Sequence, residues 1–137
     1  MLYRKYGLID YASYNSKPIQ DIVQYINPIT EEAKEFFLTR GITEKTIVKN
    51  FFDIYSTKDN KISFVYRKTF DVGMVKIRTT EKKCEHYVTK KIKDLCLWKL
   101  DYCDYNLPLV ICEGEIDQLS FEEQGFYNAV SVPSGAG

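Results

Sequence analysis

The segment Glu113-Gly114-Glu115-Ile116-Asp117 puts three carboxylates into five residues. Carboxylate oxygens are the ligands that Mg²⁺ and Mn²⁺ prefer, and such ions activate phosphates for substitution. An ordinary structural role competes with this. Acidic side chains in the first turn of a helix stabilise it by about 0.3–1 kcal/mol. That role accounts for Glu115 and Asp117. It accounts less well for Glu113, which would sit where a strand opens into the helix. Gly114 beside it allows close backbone approach. A second set of residues is basic. Lys76 and Arg78 share one face of a strand at period two, and Lys82 and Lys83 follow within a few residues. Such groups can contact phosphates, although the plainer reading is a solvated strand face.

The elements that must position these groups can be read from the pattern. Residues 107–112, Leu-Pro-Leu-Val-Ile-Cys, form a short apolar run that suits a strand buried on both faces. A helix follows through about Gln124 and Gly125 ends it. Tyr-Asn-Ala-Val-Ser-Val over 127–132 reads as a second strand, and Pro133-Ser134-Gly135-Ala136-Gly137 closes the chain. Two strands joined by a helix should be parallel with a right-handed crossover. Glu113 and the Pro133–Gly137 loop then follow the carboxyl ends of their strands. That edge is where open α/β sheets bind ligands.

Upstream the period is helical, then alternating. Pro18 stands near the start of a short helix with Ile19, Ile22, Val23 and Ile26 on one face, and Asn27-Pro28 ends it. Thr30 can cap a second helix with Ala33, Phe36 and Phe37 as its buried stripe, stopped by Gly41. Thr43 can cap a third that carries Ile47, Val48, Phe51 and Phe52. Ile62, Phe64 and Tyr66, then Val75 and Ile77, predict an antiparallel hairpin with one buried face and a turn near Asp71-Val72-Gly73. Residues 90–106 read as a short helix or turn with Ile92, Leu95, Leu97 and Trp98 inward, Trp98 as core. The fold class expected is an α+β lobe of short helices and a hairpin, followed by one α/β unit.

Composition adds limits. Nineteen Lys plus Arg balance nineteen Asp plus Glu, so net charge gives no argument for a polyanion partner. The four cysteines lack Cys-x-x-Cys pairing and His86 is the one histidine, so zinc is not expected. No apolar run of transmembrane length and no signal-peptide core occur, which points to a cytoplasmic protein without a membrane partner.

The stretch VICEGEIDQLSFEEQGFYNAVSVPSGAG resembles the first two elements of the Toprim fold, most closely that of phage primase-helicases and the related mitochondrial helicase. EAKEFFLTRGITEKTIVKNF is similar to the helices that open primase RNA-polymerase domains. ISFVYRKTFDVGMVKIRTTEKK is similar to the hairpin ahead of Toprim, and DLCLWKLD to the connection before the Toprim strand. The likeness covers roughly residues 29–137. It divides the chain into a tether and short helix (1–28), an N-terminal subdomain of a primase RNA-polymerase region (29–106) and a partial Toprim domain (107–137).

The resemblance implies RNA-primer synthesis by metal-dependent nucleotidyl transfer, with Mg²⁺ or Mn²⁺ as cofactor. It implies Glu113 as metal ligand or acid/base and Asp117 as the second acidic position. Gly114, Glu115, Ser134 and Gly135 would form the supporting loop. Lys76 and Lys82 match basic positions that face nucleotide or nucleic acid, and Arg78 shares their strand face. The implied partners are single-stranded DNA template, nucleoside triphosphates and a replicative helicase domain, in a bacterial or phage-infected cell. Two departures from the family pattern stand out. No zinc ribbon precedes this region, and the Asp-x-Asp of the next Toprim strand is not reached before Gly137. The chain alone is therefore expected to make no primers. Alternatives are another Toprim enzyme, such as a topoisomerase or nuclease, or a non-catalytic module that binds nucleic acid or a helicase partner.

Overall fold

The computed structural model describes residues 17–19, 21–79, 84–88 and 96–133. Strand β1 is Lys17–Pro18, and a single 3₁₀ turn covers Ile22–Gln24. The helix expected after Pro18 is thus reduced to one turn, capped by Asp21 Oδ1 accepting from Val23 N at 3.1 Å. Val23 points to solvent, while Ile19 and Ile26 pack beneath the sheet. Asn27 ends the segment by exchanging backbone hydrogen bonds with Ser56.

Helix α1 (Glu31–Thr39) begins where Thr30 accepts from Ala33 N and ends at Gly41, whose φ of +77° favours glycine. Its stripe is as expected, with Ala33 and Phe37 buried and Phe36 partly so. Helix α2 (Glu44–Lys49) is shorter than the pattern suggested. Ile47 is buried, but Val48, Phe51 and Phe52 are exposed, the last two lying past the helix end. Thr43 does not cap α2 through its own side chain. Its backbone N and its hydroxyl both donate to Glu123 Oε1 at 2.7 Å, a contact spanning 80 residues.

Strands β2 (Ile54–Ser56), β3 (Ile62–Lys68), β4 (Asp71–Arg78) and β5 (Cys84–Val88) join β1 in one sheet of order β1-β5-β4-β3-β2. The β3–β4 turn falls at Thr69 and Phe70, not at Asp71–Gly73. Both take positive φ, 51° and 66°, as a two-residue hairpin turn requires. Gly73 instead lies inside β4, where Tyr66 pairs with Met74 and Arg67 with Val72, leaving Gly73 as the extra residue of a bulge. The sheet is covered on both faces, which corrects the expected single buried face. Ile62, Phe64, Tyr66 and Met74 pack on one side with Phe37, Ile47, Trp98 and Leu119. Val65, Val75 and Ile77 pack on the other with Ile19, Tyr25, Ile26 and Tyr87.

Among the described residues a second sheet holds β6 (Val110–Cys112) and β7 (Ala129–Ser131), parallel and joined by α3 (Glu115–Glu123). Gly125 stops α3 at φ +85°. β6 is not buried on both faces: Leu107 and Ile111 are exposed, because β7 pairs one edge and the face carrying Ile111 is open. Trp98 bridges the two sheets. Its backbone pairs with Ser131 on β7, and its fully buried ring meets Phe64 of β3 at 5.4 Å, edge to face. Leu97 is only half-buried, and 90–95 lie outside the described residues.

Candidate active site

Parallel pairing of Cys112 with Ser131 brings the segments after β6 and β7 to one edge. Glu113 stands exposed at that edge, directly before the helix, and Asp117 is exposed in the first turn of α3. Gly114 caps the helix between them in extended conformation. A Cβ there would meet Asp117 Oδ2 at 3.6 Å, so the Asp117 carboxylate lies over the glycine backbone. The two carboxylates thus share the strand–helix junction and remain open to solvent. They are suited to a divalent cation that keeps several waters and takes further oxygens from phosphate. Among the described residues no three His, Cys, Asp or Glu side chains converge as a complete metal cage.

Glu115 does not join them. It is 3% exposed and turns under α3 to meet Lys76 of β4, which is 7% exposed. Lys76 Nζ reaches Glu115 Oε1 at 2.9 Å and Oε2 at 3.1 Å, and Tyr66 donates its hydroxyl to Oε1. Tyr66 also approaches the Val132 carbonyl at 3.2 Å. His86 on β5 sits opposite Lys76, with Nε2 3.2 Å from the Pro133 carbonyl. Three neighbouring strands therefore hold the N-terminus of α3 and the chain leaving β7. Burial pushes the His86 ring below the usual histidine range, the Pro133 carbonyl and Glu115 oppose this, and Lys76 adds to it. These findings correct two expectations. Lys76 is not on a solvated face, and Glu115 belongs to a buried ion pair instead of an acidic trio. The reason is cross-strand pairing of Lys76 with Phe64, which puts the lysine on the covered face.

Arg78 lies on that same face, paired with Ile62, but is not part of this cluster. Its guanidinium sits 5.5 Å from the Phe36 ring centre, and its buried Nε has no hydrogen-bond partner among the described residues. It lines a cleft of about 300 Å³ with Glu32, Asp59 and Asn60. Lys82, Ser134 and Gly135 lie outside the described residues. Sequence reasoning missed Tyr66 and His86. The single histidine falling one strand from the basic pair was the available signal.

The fold matches solved primase structures. The primase fragment of the bacteriophage T7 primase-helicase superposes with a TM-score of 0.63 at 19% identity, over 88% of this chain and 49% of that one. T7 primase domains, solved with the phage lagging-strand DNA polymerase, an RNA/DNA hybrid and dTTP, match with a TM-score of 0.60 at 25% identity. That match covers 72% of this chain and 46% of the other.

Two Arabidopsis thaliana proteins match in sequence over 112 residues, 81% of the chain. They are a primase homolog protein at 34% identity and a chloroplastic/mitochondrial Twinkle homolog at 33%. Over the matched region the chain is similar to primases and primase-helicases. It spans 32% and 15% of the lengths of these two relatives. No protein-family model matches it. No helix among the described residues is long and apolar enough to cross a membrane.

Proposed function

We propose that the β6–α3–β7 unit is the opening of a Toprim nucleotidyl-transfer fold, and that the chain is part of an enzyme making RNA primers on single-stranded DNA. The observation that carries this is the pair of exposed carboxylates, Glu113 and Asp117, at the edge where β6 and β7 end in register. These two residues would hold a Mg²⁺ or Mn²⁺ ion, which supplies charge neutralisation for the phosphates of an incoming nucleoside triphosphate. Two carboxylates bind Mg²⁺ weakly unless substrate oxygens complete the shell.

The chain's own residues then do the positioning. The Lys76–Glu115 pair fixes the first turn of α3, and with it the direction in which Glu113 and Asp117 point. Tyr66 and His86 hold the carbonyls of Val132 and Pro133 beside that turn. Lys76 stands beneath the junction where a polyphosphate would lie, with its charge already shared with Glu115. Arg78 and Lys82 are proposed phosphate contacts further along the same strand and beyond it. A helicase domain is a proposed partner within the whole protein, as are template DNA and nucleoside triphosphates.

Nucleotide binding by the chain, followed by fluorescence with a labelled ATP, tests the reading. Binding should need a divalent ion, fall in the order tri-, di-, monophosphate, and lose its metal dependence in Glu113→Gln. Equal binding with and without metal in the unaltered chain would contradict it.

A further inference from the structure

Exposed aromatic rings gather at the other end of α3, far from Glu113. Phe51 and Phe52 follow α2 with ring centres 4.1 Å apart and are 59% and 55% exposed. Tyr127, 53% exposed, lies just before β7, and Tyr102, 47% exposed, closes the 3₁₀ turn Leu100–Tyr102. These four rings rim one cleft of about 400 Å³, within the size range of sites for small planar ligands. The nine residues of α3 separate this cleft from Glu113 by about 13 Å of helix.

Cations are interleaved with the rings. Lys49 Nζ stands 5.1 Å from the Tyr127 ring centre and 3.1 Å from its hydroxyl, and Lys49 itself is exposed. Lys99 Nζ lies 5.5 Å from the Tyr102 ring centre. The acids of the cleft are already answered. Glu122 is buried against Lys99 and Asn50, and Asp53 is buried against Arg67 at 3.5 Å. What the cleft offers to solvent is therefore a set of exposed aromatic rings with one positive charge, Lys49, that no acid of the cleft answers. Protein interfaces of this aromatic content are depleted of lysine at their core. Grooves that stack successive bases of single strands combine aromatic rings with backbone-tracking cations.

We infer that the Phe51–Phe52–Tyr127–Tyr102 cleft is a base-stacking site for single-stranded nucleic acid, with Lys49 meeting the phosphate chain. This site is separate from the proposed metal site and does not depend on it.

The test is fluorescence anisotropy of the full chain with a labelled oligothymidylate of about ten nucleotides. An abasic sugar–phosphate strand of equal length is run in parallel. EDTA is present throughout, so divalent-ion chemistry at Glu113 plays no part. Expected are tighter binding of the base-bearing strand and a loss of about tenfold in Phe51→Leu and again in Tyr127→Leu. Leucine keeps apolar bulk at these exposed positions, and circular dichroism checks that each variant is folded. Equal affinity for both strands, or leucine variants that bind as the unaltered chain does, would overturn the inference and leave the rings as a protein-docking surface.

Discussion

Lys76 and Glu115 show how burial changes what a charged residue is for. Removing both charges from water is costly, and their bidentate contact offsets this only while both are present. Lys76→Met or Glu115→Leu alone should each cost about 3–5 kcal/mol, because a buried charge is left unpaired. The double replacement should cost much less than the sum. Urea denaturation of the four chains measures this, and additive losses would count against a coupled pair. Loss of nucleotide binding in a Lys76 variant therefore needs to be read alongside its stability. His86 adds a pH effect. Its ring is held below the ordinary histidine value near 6.5. The unfolded chain then binds the extra proton more readily, so stability is lost as pH falls below about 6.5 and kept above it. His86→Gln should flatten that slope in thermal melts between pH 7.5 and 5. Glu113 was legible in the sequence as the carboxylate that capping did not explain. The inward turn of Glu115 was not legible, because its partner lies 39 residues away on another strand.

At the scale of elements, the β3–β4 hairpin carries a strain that another segment relieves. Thr69 and Phe70 both hold left-handed backbone, which disfavours residues with a Cβ. Their amides donate to the two carboxylate oxygens of Asp101, at 3.1 and 2.7 Å. Asp101→Ala should destabilise the chain by about 1–3 kcal/mol, and hydrogen exchange should quicken first at the Thr69 and Phe70 amides. Unchanged protection there would mean that water replaces Asp101 fully. Capping and stop signals at Thr30, Gly41 and Gly125 were readable because they act within a turn of helix. The hairpin turn was misplaced because Gly73 looked like a turn glycine while serving a bulge. Thr43 was read as capping α2 through its side chain, but that hydroxyl donates to Glu123 of α3 instead. Phe51 and Phe52 continued a helical stripe that the short helix does not reach.

At the scale of the molecule, two sheets share one core through Trp98 and Leu119, and the candidate site lies at their seam. Trp98→Ala should therefore unfold both sheets together, with about 3–5 kcal/mol lost. A calorimetric scan showing two separated transitions would argue against this shared core. The parallel β6–β7 pair followed from strand, helix, strand spacing, whereas β1, β2 and β5 of the first sheet were not read from the sequence. Nor was the docking of α3 against the first sheet, since it depends on side chains far apart in sequence. The proposed activity requires Glu113 and Asp117 to bind a divalent ion together with nucleotide phosphate. The most direct measurement is electron paramagnetic resonance of free Mn²⁺ titrated with the chain and a nonhydrolysable nucleoside triphosphate. The unaltered chain should remove free Mn²⁺ signal beyond what nucleotide alone removes, and Glu113→Gln should abolish this excess. An excess of the same size in Glu113→Gln would contradict the proposed activity.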